Sequence, residues 1–421
     1  MLDIRRIRQN PQEIETLLAK KNVVMDLGKV QKLDEDRRSI LAQIETLKAE
    51  RNQNSEQVST RKKRGEDATD LIERTRDVGD RIRALEASIA PLDEELRHFL
   101  LTVPNTPLPE VPNGNTAEDN VELHREGSIP RFSFAPQPHW DLGESLGIFD
   151  FERARKISGA RFTVFKGPGA RLIRALANYM LDHARDRGYL EIAPPYLVNY
   201  DSMVGTGQFP KFIEDAFAVD DHRYYLIPTA EVPLTNLHRG EILASDDLPL
   251  KYCAYTPSFR AEAGAAGRDT RGVIRQHQFD KVELVRIVAP ETSTEAMDAM
   301  LRDAETLLEE LGLPYRTVLL CGGDMGFGQA KTYDIEVWMP SYDRYVEISS
   351  VSNMTDFQAR RSDMRYRPHG SKKTEFVHTL NGSALAIGRT IAAIVENYQT
   401  ATGHVRIPKV LQSYMPGFEE I

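Results

Sequence analysis

The sequence holds 421 residues, 28% of them charged, with a formal net charge of −9. That length has room for two or three domains and a large core, and the acidic balance excludes a wholesale nucleic-acid coat while leaving room for a local basic patch. The cysteines, Cys253 and Cys321, lie in apolar runs, which excludes a disulfide framework and gives no metal-ligand spacing. The start, Met1-Leu-Asp-Ile-Arg-Arg6, has no apolar signal core, and no apolar run is long enough for a bilayer; a cytoplasmic protein with no membrane partner is expected.

Asn10-Pro11-Gln12-Glu13 reads as a helix start, with Asn at the N-cap, Pro in the first turn and Glu closing a capping box, for a short helix to about Lys21. From about Val30 the residues Leu33, Arg37, Ile40, Ile44, Leu47, Arg51, Asn54 and Val58 recur four and three apart. After the basic break Arg61-Lys-Lys-Arg-Gly65 the spacing resumes at Leu71, Thr75, Val78, Ile82, Leu85, Ile89, Leu92, Leu96 and Phe99. Two heptad segments with a short polar break predict an antiparallel helical hairpin over about 27–103, reaching about 50 Å. Polar Arg37, Arg51, Asn54 and Thr75 weaken the seam toward the tip, and Pro91 is expected to kink or open the second helix. Such an arm reads either as a dimerisation or spacer coil or as a lever on a large partner. Arg61–Arg64, Arg74, Arg76, Arg81 and Arg83 suit a phosphate backbone.

The proline-rich run from Val103 to Asn115 reads as a linker, with the domain boundary near Pro104. Beyond an irregular stretch, Arg171–Arg187 is an amphipathic helix ended by Gly188, and Tyr189–Val198 is a strand that Pro194 and Pro195 confine to an edge, either a natural dimer surface or a covered edge in a monomer. Gly205-Thr-Gly-Gln-Phe-Pro210 reads as a turn, and Tyr224–Glu231 as an apolar strand ending on Thr229 and Glu231. Glu295–Leu311 is a helix, and Tyr333–Met339 and Tyr345–Ser350 are strands. Phe376–Arg389 passes from strand into a helix whose small residues Gly382, Ala384 and Gly388 allow close packing, with Arg389 about two turns in.

The chain is centred on Tyr252–Val285. Two strand-like flanks enclose a loop containing Gly264, Gly267, Arg268, Asp269, Arg271 and Gly272, expected to form a mobile hairpin tip. Arg260 and Glu262 leave the first flank where Arg275 and Phe279 enter the second, so antiparallel pairing gathers two guanidiniums, a carboxylate and an aromatic face around one ligand. A guanidinium fork grips phosphate and a phenyl ring stacks on a purine, which outlines an ATP site without a P-loop. The competing reading is a salt-bridged surface hairpin.

These stretches, in this order, resemble the three signature motifs of class II aminoacyl-tRNA synthetases: the helix and strand closing on Pro195, Phe259-Arg260-Ala261-Glu262 with Arg275, and the small-residue stretch carrying Arg389. Within that class the whole chain resembles the bacterial seryl-tRNA synthetase family, through the arm, Gly205–Pro210, Thr229-Ala230-Glu231, Arg275–Glu283 and Asn381–Ala386. The resemblance implies an α+β fold: an N-terminal tRNA-binding domain over 1–104 with a coiled-coil arm, then a catalytic domain over 105–421 on a mostly antiparallel sheet flanked by helices. It implies a homodimer with Pro195 at the interface, and ligation of L-serine to tRNA(Ser), with tRNA(Sec) a further acceptor, using ATP and Mg²⁺.

By the same resemblance Arg260 would bridge the serine carboxylate and the ATP α-phosphate, Glu262 would receive the adenine amine and Phe279 would stack on the ring. Arg275 and Arg389 would hold the outer phosphates. Ala261, Ile348 and Ser349 complete the implied ATP site, and Glu347 and Ser350 would be shared Mg²⁺ ligands. Thr229, Ala230 and Glu231 would hold serine by its ammonium, while Glu283 and Ser383 would read its hydroxyl. On the residues alone, Glu283 reads equally as a buried partner of Lys281. Rival functions are an amino acid:carrier-protein ligase and a non-catalytic coiled-coil adaptor.

Overall fold

The computed structural model describes residues 1–263 and 271–421, so the hairpin-tip residues Gly264, Gly267, Arg268 and Asp269 lie outside the described residues. The chain divides into two compact units, one of Leu2–Thr16 with Val24–Val103 and one of Met1, Leu17–Val23 and Pro104–Ile421.

In the first unit, helix α1 (Ile4–Gln9) is capped by Asp3, whose carboxylate accepts from Arg5 N. Helix α2 (Pro11–Ala19) starts at the expected cap and ends short of Lys21. Asn10 Nδ2 donates to Glu13 Oε2 at 2.8 Å and Glu13 N to Asn10 Oδ1 at 3.3 Å, so the reciprocal pair runs partly between side chains. Helices α3 (Gly28–Lys63) and α4 (Thr69–Thr102) run antiparallel, as the ion pairs Lys29–Glu95, Lys48–Glu86 and Arg61–Asp70 require. Their seam is the apolar set Ile44, Leu47, Val78 and Ile82, flanked by Ile40, Leu85 and Ile89.

The polar seam residues find different outlets. Arg37 pairs with Asp93, and Thr75 returns its hydroxyl to Leu71 O at 2.6 Å. Asn54 Nδ2 is buried with no partner. Helix α4 continues through Pro91, where the sequence predicts a break. Pro91 and Ala87 are both exposed, so water can take the Ala87 carbonyl that loses its donor.

In the second unit an eight-stranded sheet carries the site. Its strands are β1 (Val121–Glu126), β2 (Leu190–Glu191), β3 (Leu250–Phe259), β4 (Gln278–Val288), β5 (Tyr315–Leu319), β6 (Lys331–Met339), β7 (Arg344–Thr355) and β8 (His378–Ala386). Their order is β1-β5-β6-β7-β8-β4-β3-β2, antiparallel except where β2 lies parallel to β3 at the edge. Helices α5 (Pro168–Asp186), α7 (Ser293–Leu311) and α9 (Ile387–Asn397) bury Leu172, Leu176, Met180, Met300, Ala304, Leu308, Ile391 and Ile394 in one core with it. Two short helices, α6 (Tyr200–Thr206) and α8 (Phe357–Ser362), stand beside the cleft. No helix among the described residues is long and apolar enough to cross a membrane.

Several expectations need correction. The Val103–Asn115 run is no free linker at its start: Val103 to Pro107 are buried, and Asn105 N and Leu108 N donate to Phe327 O and Ala330 O. The edge strand is split, because Pro194 and Pro195 part β2 from Leu197–Val198, which pairs in a separate three-stranded sheet with Tyr224–Leu226. Gly205 and Thr206 close helix α6, and the chain turns at left-handed Gly207. Arg389 lies in the first turn of α9, since β8 runs on through Ala386. Gly382 and Ala384 therefore belong to the strand. A Cβ on Gly382 would lie 3.0 Å from Met300 Sδ, so its smallness admits α7.

Replacing the unpartnered amide of the arm, Asn54→Leu, should stabilise the hairpin by about 1 kcal/mol, because a desolvated donor is removed and an apolar side chain packs in its place. Thermal melts of the full chain followed by far-ultraviolet circular dichroism check this; an unchanged or lowered arm transition refutes it.

Candidate active site

The β3–β4 hairpin sets the geometry. Gln278 pairs with Phe259, and Arg260 N donates to His277 O at 2.9 Å, which brings Arg260, Glu262, Arg275 and Phe279 to one end of the sheet. Glu262 sits at φ 53°, a conformation rare for a non-glycine residue, and turns its carboxylate onto Arg275 Nη1 at 2.6 Å. A cleft of about 560 Å³ is lined by Thr229, Glu231, Arg260, Glu262, Arg275, Lys281, Glu283, Glu347, Ser350 and Ser383. A cavity of about 150 Å³ shares Arg260, Glu262, Arg275 and Glu347 with it and adds Phe279, Ile348 and Arg389. Of the expected site residues, Ala230, Ala261 and Ser349 line neither. Ala230 is buried, Ala261 N donates to Asp215 O, and Ser349 Oγ donates to Ser383 O. Pro195 is exposed on the surface.

Strand irregularities aim the donors. Glu347 and Ser350 are three apart and would face opposite ways on a regular strand. In β7 the register shifts, with Glu336 opposite Glu347 and Ile335 opposite Ser349, so Ile348 is the extra residue of a bulge. The bulge returns both oxygens to the cleft. A second shift at Ala384 places Ser383 opposite Glu283, with Ser383 Oγ 3.5 Å from Glu283 Oε2.

Most cations here already hold a carboxylate. Arg275 pairs with Glu262, Lys281 with Glu283, and Arg389 Nη1 lies 3.3 Å from Glu347 Oε2. Arg389 is held further by the carbonyls of Glu347 and Ile274. Arg260 differs. Its Nε donates to Pro228 O at 3.3 Å and its guanidinium lies 5.2 Å from the Phe279 ring centroid, and among the described residues no carboxylate pairs with it. It is the one of these four cations left to neutralise an incoming anion.

Glu231 is 7% exposed, and its Oε1 accepts from Gln358 Nε2 at 2.6 Å and Asn381 Nδ2 at 3.0 Å. Burial, with the Glu283 charge second, pushes its carboxyl up to about 7 despite Gln358, Lys281 and Arg260. Glu347 lies at the cleft floor with half its side chain meeting solvent. Desolvation pushes its carboxyl up, but Arg389, then Arg260 and Lys281, outweigh it and leave it below the ordinary value. Opposite Ser350, burial and then the Glu347 charge raise the Asp334 carboxyl well above its ordinary value.

The sequence reading of Glu283 as a buried partner of Lys281 is met by their ion pair, and Lys281 Nζ also donates to Thr229 Oγ1 at 3.1 Å. Sequence reasoning missed Gln358, Asn381 and the wall Gly326–Gln329 as cleft residues. Nothing local marks Gln358, which reaches Glu231 from another element.

A mostly antiparallel sheet, a hairpin presenting Arg260 and Glu262, and a strand-to-helix passage presenting Arg389 define a class II aminoacyl-tRNA synthetase core. Residues 213–398 match the family model of the tRNA synthetase class II core domain (G, H, P, S and T), and residues 1–107 that of the seryl-tRNA synthetase N-terminal domain. The chain belongs to the seryl-tRNA synthetase family. It is 55% identical over 416 residues to the serine–tRNA ligase of Carboxydothermus hydrogenoformans, covering 99% of this chain and 98% of that one. It is 56% identical over 417 residues to that of Geobacillus thermodenitrificans, covering 99% and 98%. Among solved structures, seryl-tRNA synthetase from Pyrococcus horikoshii complexed with ATP matches with a TM-score of 0.94 at 40% identity over 100% of this chain and 99% of that one. The cytoplasmic serine–tRNA ligase of Naegleria fowleri in complex with AMP matches with a TM-score of 0.89 at 29% identity over 100% and 98%.

The Glu231 carboxyl, raised to about 7, lines the cleft. Only the carboxylate attracts an ammonium, and it forms as pH rises through about 7. The KM for the amino acid should therefore fall between about pH 6 and about pH 8, and Glu231→Gln should raise KM and flatten the profile. ATP–pyrophosphate exchange across that range is the measurement, and a flat wild-type profile contradicts the assignment.

Proposed function

We propose that this chain is a serine–tRNA ligase, which activates L-serine with ATP to seryl-adenylate and pyrophosphate and then transfers serine to the 3′ end of tRNA(Ser). The observation that most supports this reading is Arg260, a guanidinium without a carboxylate partner among the described residues that borders both cavities. Thr229, Glu231 and Glu283 line the larger cleft and, with Ser383, which lines both cavities, are acceptors suited to an ammonium and a hydroxyl. Phe279 and Arg389 line the smaller cavity and, with Arg275, which lines both, suit a purine and a polyphosphate.

A serine carboxylate oxygen attacks the α-phosphorus in line and pyrophosphate leaves. Both reactants are anions, so a cation fixed between them lowers the barrier, and no base is needed because the nucleophile is already ionised. In the second step a terminal ribose hydroxyl of the tRNA attacks the acyl carbon, AMP leaves, and the hydroxyl proton passes to the departing phosphate. Glu262 would exchange its Arg275 contact for the adenine amine, freeing Arg275 for phosphate. Glu347 and Ser350, two hard oxygens facing one cleft, would hold Mg²⁺ jointly with the phosphates, whose charge the ion would screen.

Specificity rests on Glu283 with Ser383. Alanine leaves their hydrogen bonds unmade in a buried site, a penalty that can reach ~10⁴-fold. The exposed tip cations Lys62, Lys63, Arg64, Arg74, Arg76, Arg81 and Arg83 would contact the tRNA backbone, since RNA duplexes are read largely by shape. In a cytoplasmic homodimer joined near Pro195 and the β2 edge, the arm of one subunit would serve the site of the other. Transfer to tRNA(Sec) is the same chemistry on a second acceptor and belongs to this proposal.

Arg260→Ala should cut serine-dependent exchange by ~10²-fold or more while the protein stays folded; near-normal exchange refutes the role. Deleting residues 27–103 should spare exchange and abolish tRNA charging. Retained charging removes the arm from tRNA recognition.

A further inference from the structure

Lys21 lies in Leu17–Val23, the short N-terminal stretch that shares a compact unit with Pro104–Ile421. The backbone around it fits tightly. A Cβ on Gly322 would lie 2.3 Å from Lys20 O, and one on Gly323 2.6 Å from Asn22 Nδ2. Lys21 is 7% exposed. Its Nζ donates toward four main-chain carbonyls, Gly326 O at 2.6 Å, Gln329 O at 2.9 Å, and Asn105 O and Phe327 O at 3.3 Å each. Among the described residues no carboxylate pairs with it. Burial, then the charge of Lys211, lowers the ammonium to about 7.

A buried charge with no counter-ion persists only if its N–H groups are satisfied. Here they are satisfied by Asn105 O and by the carbonyls of Gly326, Phe327 and Gln329 in the loop that walls the cleft. Phe327 O also accepts from Asn105 N, and Gly328 O from Asn105 Nδ2 at 3.0 Å, so every carbonyl of the loop is tied to Lys21 or Asn105. The loop in turn reaches the floor. The Phe327 ring meets Phe357 edge-on at 5.7 Å, and the adjacent Gln358 donates to Glu231. The charged groups over the Phe327 ring are Lys211 at 5.0 Å and Arg361 at 5.4 Å, both cations.

We propose that Lys21 is a positioning residue for the amino-acid end of the cleft: its ammonium, set in a cage of backbone carbonyls, fixes the Gly326–Gln329 wall and through it the Phe357–Gln358 support of Glu231. The proposal rests on reading Thr229 and Glu231 as that end.

The experiment is exchange kinetics on full-length Lys21→Met, with Glu231→Gln alongside. KM for serine should rise ~10-fold or more with KM for ATP near wild type, because a displaced wall misplaces one substrate. Lys21→Arg, which keeps charge and donors, should recover part of the loss. A folded Lys21→Met with unchanged KM for serine overturns the proposal if Glu231→Gln raises it; if neither variant does, the reading of the amino-acid end fails instead. Equal changes in both KM values reduce Lys21 to general stability and also overturn it. A measurement on the unaltered protein covers failure of the variant to fold: hydrogen exchange of the 326–329 amides, corrected for intrinsic rate, should lose protection relative to β6 as the ammonium discharges above about pH 7. Constant protection from about pH 6 to about pH 9 overturns the proposal.

Discussion

Two anions do not approach bonding distance unaided, and the role proposed for Arg260 is to supply the cation between them. Carboxylates and cations are nearly matched in the cleft, with Glu262, Glu283 and Glu347 each spoken for by Arg275, Lys281 and Arg389. Arg260 breaks the match. Its direct contacts are a carbonyl and the face of an aromatic ring, while Glu231 and Glu347 feel its charge without pairing with it. Were a carboxylate placed there, the electrostatic contribution proposed for Arg260 would already be consumed inside the protein.

The fold serves that one residue by fixing what surrounds it. Hairpin pairing holds Arg260 at the end of β3, Lys281 of β4 donates across to Thr229, and β4, β8 and β7 pair in succession. Ordinary strands could not present Glu347 and Ser350 together, nor Ser383 opposite Glu283. One extra residue in each of β7 and β8 does both.

Much of this was legible in the sequence. Long-range order along the chain carried the class of the site, because Arg260, Glu262, Arg275 and Arg389 are chemically conspicuous and stand at element ends, and heptad spacing carried the arm. What escaped depends on contacts between distant segments. Pro91 reads as a helix breaker, yet on a water-facing flank it is tolerated. Gly382 reads as a helix packing residue, yet it is a strand position beneath Met300. The Val103–Asn115 run has linker composition, but Asn105 donates to Gly328 O in the cleft wall and to Met354 O, which composition cannot register. Bulges are likewise silent, since inserting one residue in a strand leaves no local signature.

The seating of Lys20–Asn22 on Gly322 and Gly323 bears on how the protein is made. Lys21 and Gly326 are 305 positions apart, so while the ribosome is still threading out the first three hundred residues the N-terminal stretch has no socket to enter. The cleft wall can assemble only after β5 has emerged, and until then a lysine destined for burial stays hydrated. Completion of the active centre is thereby a late event in biosynthesis, ordered by the distance along the polypeptide between a plug and its hole.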